Sequence, residues 1–237
     1  VQVTNSYNYL YKDNRENVIL PMAVATHEMG HILGFKDLYN SSNSSPVYYM
    51  SAMAKHMSPV PQFISVKERE AKGWLTSENV KTIYQNGQYT LKEASTRGDS
   101  QIVGYKLNLK GTNKTLYLEY RNFGTGGNKY DCQSKELYKT DGTKLKGLTI
   151  SSGLVCYLVD KDTKFPNNMG CVAGKWNYET LGGTYATKSD APLKLNQSLK
   201  ITDDMYVEVT NITDNQLTFK IEGDFEEQQT ETKEISD

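Results

Sequence analysis

Cysteine and histidine are scarce in this sequence, and long apolar runs are missing. Its three cysteines allow one disulfide at most, which excludes a disulfide framework as the basis of the fold. No apolar run approaches the ~20 residues that a membrane-spanning helix requires. The net charge of −1 gives no electrostatic attraction to nucleic acid or to an anionic membrane surface. What remains is a globular chain of 237 residues, long enough to bury a core in one or two domains.

Most of the chain after Trp74 has the pattern of short β-strands. Turn signals such as Asn86-Gly87 separate stretches that are rich in β-branched and aromatic residues. The predicted strands lie within 88–94, 101–109, 114–122, 148–160, 205–212 and 216–223. This spacing predicts a β-rich, sandwich-like domain over residues 80–223. The acidic stretch 224–237 that follows predicts a disordered tail or a linker.

Two helices are predicted before the β-rich part. Residues 18–33 have apolar side chains at helical spacing, with Gly34 as a stop signal. We expect the resulting apolar stripe to be buried, so that the opposite face points at a cleft. The stripe consists of Val18, Met22, Ala25, Met29 and Ile32. A second helix is predicted from Ser65 to Lys72, because Ser65 and Glu68 form a capping-box pattern.

The first helix contains the residues that point to chemistry. His27 and His31 are four residues apart, so both imidazoles stand on one helical face and can reach one metal ion. Glu28 follows the first histidine, the position of the general base in the His-Glu-x-x-His motif of zinc peptidases. Two buried histidines in a core helix are the structural alternative. The combined pattern favours a zinc site.

A catalytic zinc ion usually has three protein ligands and one open position. Gly34 tolerates a positive φ and can reverse the chain, which brings Asp37 back toward the histidines. Asp37 is therefore the predicted third ligand. A carboxylate of the second helix, Glu68 or Glu70, remains the alternative.

These motifs resemble those of a known peptidase family. The string from His27 to Asp37 resembles the long zinc-binding sequence of metzincin-type endopeptidases, with aspartate in place of the commoner third histidine. The segment PVYYMSAMA (46–54) resembles the Met-turn of bacterial secreted metallopeptidases of the immune inhibitor A family, and the alignment makes Met53 the Met-turn methionine. Weaker resemblances follow in the family's order in FISVKEREAKGWL (63–75), LYLEYRN (116–122) and SSGLVCYLVDKD (151–162).

The resemblance implies a fold, a reaction and a location. The fold class would be α+β: the C-terminal half of a zincin catalytic domain over residues 1–79, then the β-rich domain. Only 26 residues precede His27, so most of the family's upstream subdomain would be missing from this chain. The implied activity is zinc-dependent hydrolysis of peptide bonds in extracellular proteins, through a zinc-bound water activated by Glu28. The implied location is the surface or surroundings of a bacterial cell.

Several other residues have two interpretations each. His56 and Tyr49 would help to bind substrate, or would be ordinary loop residues. Asp160 and Asp162, near Asn167 and Asn168, offer oxygen ligands for calcium, although turn residues are the stronger interpretation because no full calcium-loop spacing is present. Cys156 and Cys171 would pair, or would stay reduced. The alternative function is a β-rich module that binds a surface glycan or protein and keeps a vestigial or structural zinc site.

Overall fold

The structure, a computed structural model, combines a little helix with much β-sheet. It describes residues 9–12, 18–19, 22–38, 50–54, 62–96, 100–122, 137–139, 144–145, 151–160, 177–181, 190–213 and 215–225. The helices are α1 (Met22–Ile32) and α2 (Val66–Ala71). The strands are β1 (Tyr9–Lys12), β2 (Val18–Ile19), β3 (Val80–Thr82), β4 (Gly87–Lys92), β5 (Gly104–Asn108), β6 (Lys114–Arg121), β7 (Leu137–Lys139), β8 (Lys144–Leu145), β9 (Gly153–Asp160), β10 (Asn177–Thr180), β11 (Ser198–Thr202), β12 (Met205–Ile212) and β13 (Gln216–Glu222).

The described strands form three sheets. Their orders are β2-β1-β7-β8, β10-β9-β6-β5-β3 and β11-β12-β13-β4. All pairs are antiparallel except β3 with β5, which run parallel. The prediction of a β-rich chain with few helices is confirmed. Within the described residues, no helix has both the length and the apolar character needed to cross a membrane.

The five-stranded sheet is buried on both faces. In β6, Leu116, Leu118 and Tyr120 pack with residues of the four-stranded sheet β11-β12-β13-β4. The alternate residue Tyr117 packs on the other side, with residues from the two helical regions. This division follows from the two-residue period of a strand, which sends neighbouring side chains to opposite faces. The five-stranded sheet therefore has two packed faces. One forms a core with the sheet β11-β12-β13-β4, and the other packs against the segments around His27.

The core on the helical side includes residues from both sides of position 80. Phe35, Leu38 and Met53 share one buried cluster with Tyr117 and Val155 of the sheet. Because these side chains bury apolar surface together, the stability of the helical segments depends on the sheet.

Helix α1 differs from its prediction in where it starts. Val18 and Ile19 form strand β2, paired with Lys12 and Tyr11, and the helix begins at Met22. Pro21 gives the reason, because proline disfavours helical backbone at the residue before it and the β-branched pair further upstream favours a strand.

The buried face of α1 was also predicted wrongly. Ala23, Val24, His27 and Gly30 are buried, whereas Met29 and Ile32 are 61% and 72% exposed. Small residues face inward because the chain at residues 50–54 packs closely against this side of the helix. The exposed apolar positions follow helical spacing equally well, so periodicity alone could not show which face is covered.

Helix α2 agrees with its prediction. Ser65 is the N-cap, and its side chain and that of Glu68 form both hydrogen bonds of a capping box. Lys72 is the C-cap, and Gly73 follows with a φ of 71°.

Candidate metal centre

The end of helix α1 reverses the chain toward the two histidines. The amide of Gly34 donates to the carbonyl of His31 at 2.9 Å, and that of Phe35 donates to the carbonyl of Gly30 at 3.0 Å. This pair of bonds is a Schellman motif, which needs a left-handed residue after the helix. Gly34 supplies it with a φ of 80°. The turn predicted at Gly34 is present, and Asp37 comes back over the last turn of the helix.

Three side chains meet at this point. Asp37 Oδ1 lies 3.0 Å from His27 Nε2 and 3.2 Å from His31 Nε2. Among the residues that the structure describes, these three form a group able to hold a metal ion, with ligand atoms within 4.8 Å of one another. The spacing argument thus predicted a cluster that the fold does assemble.

Backbone carbonyl groups orient both imidazoles through their Nδ1 atoms. His27 Nδ1 lies 2.9 Å from the carbonyl oxygen of Ala52, and His31 Nδ1 lies 3.0 Å from that of Phe35. A carbonyl oxygen only accepts, so each Nδ1 carries the proton and donates it. Each Nε2 is left to face Asp37. Metal-binding histidines are commonly held this way, with one ring nitrogen on a backbone carbonyl and the other on the metal.

The two distances that join the imidazoles to Asp37 are close to those around a small tetrahedral ion. Bonds of about 2.1 Å from zinc to nitrogen and oxygen separate neighbouring ligand atoms by about 3.4 Å. The two distances to Asp37, 3.0 and 3.2 Å, are only slightly shorter. The two imidazoles and one carboxylate are also a donor set that zinc accepts.

The pKa of His27 is raised above its ordinary value. Burial is the largest influence and lowers the pKa, but the hydrogen bond to Asp37, the bond to Ala52 and the negative charges of Asp37 and Glu28 together outweigh it. Because a metal ion must displace a proton held this way, metal binding should weaken in acid.

The supporting turn, which we define as residues 50–54, lies under helix α1. Its Met53 is fully buried, and a Cβ added at Gly30 would lie 2.3 Å from Met53 Sδ. Its Ala52 carbonyl accepts from His27, and its Met53 carbonyl accepts from the amide of Leu38 at 2.7 Å. The turn therefore fixes the first histidine and, through Leu38, the loop that carries Asp37.

The supporting turn is itself tied to the sheet and to α2. Arg121 Nη1 donates to the Met50 carbonyl at 2.7 Å and to Glu119 Oε1 at 2.7 Å. Ser51 Oγ donates to Glu68 Oε2 at 2.6 Å. Sequence reasoning assigned no role to Arg121 or Glu119. Their signal was present, because two opposite charges two residues apart in the mostly apolar strand β6 share one buried face.

Glu28 lies beside the cluster and is partly exposed. Its charge contributes to the raised pKa of His27, which places its carboxylate within electrostatic reach of that ring. Among the described residues, none forms a hydrogen bond or an ion pair with its side chain. Its carboxylate is therefore available to exchange a proton with a ligand.

The alternative third ligands lie elsewhere. Glu68 is buried at the start of α2, where Ser51 and Ser65 donate to it. Glu70 binds Lys106 at 2.5 Å and the Tyr117 hydroxyl at 2.7 Å. The structure brings Asp37 to the histidines, and neither of these two glutamates.

The remaining sequence-based hypotheses mostly concern undescribed parts of the chain. Cys156 is a free thiol buried between two sheets, and this burial raises its pKa. Asp160 ends strand β9. The other residues of these hypotheses lie outside the described residues: His56, Tyr49, Cys171, Asp162, Asn167 and Asn168.

The arrangement as a whole is two helix-borne imidazoles and one carboxylate, oriented by backbone carbonyls, with a second carboxylate next to them. No protein-family model, no curated protein and no solved structure matches the chain, so the functional conclusion depends on this geometry.

Proposed function

We propose that the chain is the zinc-binding part of a metalloendopeptidase. The observation that carries the proposal is the convergence of both Nε2 atoms on Asp37 Oδ1 while backbone carbonyls hold both Nδ1 atoms. Glu28, directly after the first ligand, is what a hydrolytic site adds to a purely structural one.

Zinc suits the donors and the coordination number. His27, His31 and Asp37 make three protein ligands, which leaves a fourth position of a tetrahedral site open. When bound, zinc supplies the Lewis acidity that activates water and polarises a peptide carbonyl. His27 and His31 contribute fixed neutral donors, and Asp37 neutralises part of the charge.

Glu28 is the proposed general base. Its carboxylate would take the proton from the attacking water and pass it to the leaving amine. The absence of another partner for it among the described residues leaves it able to do both. His56 and Tyr49, in segments that flank the supporting turn, remain proposed contacts for the substrate.

The family resemblance gives the proposal its wider form. In this interpretation α1 is the active-site helix of a zincin, the supporting turn is its Met-turn and Met53 is the methionine beneath the metal. The burial of Met53 against Gly30 supports that assignment. Extracellular protein substrates and secretion from a bacterium, or display on its surface, follow from the same resemblance.

The decisive experiment separates metal binding from catalysis. Zinc per chain would be measured by mass spectrometry for the wild type, His31→Ala and Glu28→Ala, together with cleavage of casein. We expect about one zinc in the wild type and in Glu28→Ala, and a large loss in His31→Ala. Glu28→Ala should cleave at least about a hundredfold more slowly than the wild type.

Two results would count against the proposal. Full cleavage by Glu28→Ala would remove the glutamate from the mechanism. Zinc in the wild type and in Glu28→Ala, with cleavage by neither, would favour the alternative of a binding module with a structural zinc site.

A further inference from the structure

A cavity of about 480 Å³ lies between helix α2 and the five-stranded sheet. Its volume falls within the range of small-molecule sites, about 300–1,000 Å³. Residues of α2 and of strands β3, β5, β6 and β9 line it, and none of the three candidate metal ligands does. The proposed peptidase chemistry therefore gives this cavity no role.

The floor of the cavity is formed by side chains on neighbouring strands. Thr82 of β3 pairs with Lys106 of β5, which pairs with Tyr117 of β6. Two residues further along, Asn108 pairs with Thr115. Side chains opposite each other on paired strands share one face, so these groups all face the cavity. A ligand would meet them at well-defined positions, because strands hold side chains more precisely than loops do.

The central ion pair of the cavity, Lys106 with Glu70, is already formed. Glu70 accepts from Lys106 Nζ through Oε1 at 2.5 Å and from the Tyr117 hydroxyl through Oε2 at 2.7 Å. A carboxylate or an amine on a ligand would compete with a partner that is in place. A neutral hydroxyl group can join the pair instead, because an ammonium has three donors and each carboxylate oxygen has more than one acceptor position. The central ion pair therefore favours a neutral polar ligand.

Other polar groups of the lining have unused hydrogen-bonding capacity. Asn108 Oδ1 accepts from Thr115 Oγ1 at 3.0 Å, which orients the amide and leaves its Nδ2 hydrogens for a ligand. The hydroxyl groups of Thr82 and Tyr84 have no hydrogen-bond partner among the described residues. The cavity thus offers both donors and acceptors. A ligand rich in hydroxyl groups matches them, because each hydroxyl both donates and accepts.

Tyr84 adds an aromatic surface to these polar groups. It lines the cavity with 47% of its surface exposed, so that a ring face is available to a ligand. A pyranose sugar has apolar C–H faces and a polar edge, and it can lie against a tyrosine ring while its hydroxyl groups reach the floor. A purely apolar ligand would leave the polar floor without partners, which costs free energy. An open-chain polyol would lack the flat face.

We propose that this cavity binds a neutral saccharide. Its hydroxyl groups would bond to Thr82, to Asn108 and to the central ion pair, and one face of a sugar ring would lie against Tyr84. This activity is separate from peptide hydrolysis, and it would attach the chain to a surface glycan while the metal centre stays free.

Titration of the full chain with cellobiose, followed by saturation-transfer NMR, tests the proposal. Sorbitol is the comparison ligand, because it has hydroxyl groups but no ring face. The variants are Tyr84→Ala, which removes the aromatic ring, and Thr82→Val, which removes a hydroxyl group and keeps the shape. Tyr206→Ala is the matched control, because Tyr206 is also 47% exposed and does not line the cavity. We expect saturable binding of cellobiose that is about tenfold weaker in Tyr84→Ala, about threefold weaker in Thr82→Val and unchanged in the control.

Three outcomes would overturn the proposal. They are no saturable binding of cellobiose, equal affinity for sorbitol, and binding that neither Tyr84→Ala nor Thr82→Val weakens. Thermal unfolding of each variant checks that it is folded, and Thr82→Val keeps the test valid if the loss of Tyr84 unfolds the chain. His31→Ala should bind cellobiose as the wild type does, which makes the result independent of the metal-centre proposal.

Discussion

Gly30 is the residue at which helix α1 and the supporting turn approach most closely. Alanine is usually better than glycine inside a helix by about 1 kcal/mol. Here its methyl group would lie 2.3 Å from Met53 Sδ, and Met53 is fully buried, so the thioether cannot swing into solvent. The steric cost of overpacking a buried contact, about 1–3 kcal/mol, should exceed the gain in helix propensity.

Gly30→Ala is therefore expected to lower the free energy of unfolding by about 1–2 kcal/mol. It should also weaken zinc binding about tenfold, because the displaced turn moves the Ala52 carbonyl away from His27. Urea unfolding and a competitive zinc titration measure the two effects. Met29→Ala, at an exposed position of the same helix, should change either quantity little. A stabilised Gly30→Ala would show that the contact is loose.

At the residue scale the sequence predicted what depends on local geometry. Two histidines one helical turn apart and a glycine able to adopt positive φ were enough to bring Asp37 to them. The partners that orient the histidines were not all predictable. Phe35 is local, but Ala52 is 25 residues from His27, and that contact depends on how the supporting turn folds back.

Among the elements, α2 was predictable and the orientation of α1 was not. The capping box of α2 is formed by Ser65 and Glu68, which are only three residues apart in the sequence. The buried face of α1 is chosen by the supporting turn, a partner distant in sequence. This choice left Met29 and Ile32 in solvent although they continue an apolar stripe.

Helix α2 begins with a buried carboxylate whose charge is poorly compensated. Burial raises the pKa of Glu68 above its ordinary value of 4.5, and the nearby Glu119 adds to the rise, although Ser51 and Ser65 donate hydrogen bonds that oppose it. Its Oε1 has no hydrogen-bond partner among the described residues. A carboxyl group with a raised pKa in the folded state binds its proton more tightly there than in the unfolded chain. Its contribution to stability is thus present in acid and is lost as the pH rises through the raised pKa.

Glu68→Gln is expected to raise the free energy of unfolding at pH 7, because glutamine keeps the capping box without the buried charge. The advantage should shrink as the pH falls through the raised pKa toward 4.5, below which the wild-type carboxyl is protonated in both states. Urea unfolding of both proteins from pH 4 to pH 8 measures this. Glu78→Gln, at an exposed site, is the control. A gain that does not depend on pH would contradict the linkage.

For the whole molecule, long strands were predictable and the pairing was not. Residues 205–212 were predicted as a strand and form β12, and 114–122 contains β6. Short strands such as β3 and β10 were missed, because three or four residues carry little periodic signal. The order β10-β9-β6-β5-β3 joins segments far apart in the chain, which no local pattern encodes.

Arg121 connects the five-stranded sheet to the supporting turn of the candidate metal centre. It is fully buried with Glu119, and it also donates to the carbonyls of Met50 and Phe63. Glu119 in turn accepts from the first amide of α2, at Val66, at 2.6 Å. Removing the guanidinium would leave a buried carboxylate without its cation, a change that costs about 3–5 kcal/mol.

Arg121→Met should therefore destabilise the chain by about that amount and weaken zinc binding, because the supporting turn loses its anchor at Met50. The double variant Glu119→Gln/Arg121→Met should recover part of the stability, since neither charge of this pair remains buried, but not the zinc affinity. Guanidinium unfolding and zinc titration of the single and double variants distinguish the two effects. Equal zinc affinity in the wild type and the double variant would show that the sheet does not position the metal centre.

Because Met53 is buried and Met29 is exposed, oxidation at the two residues reports on different states of the chain. Methionine is readily oxidised to its sulfoxide where solvent reaches the sulfur. Met29 is 61% exposed on the outer face of α1, while Met53 is fully enclosed beneath the same helix. A sulfoxide at position 29 alone thus marks a molecule that met an oxidant while intact. A sulfoxide at position 53 indicates a molecule in which helix α1 had separated from the supporting turn before oxidation. The added polar oxygen would hinder the helix and the turn from packing together again.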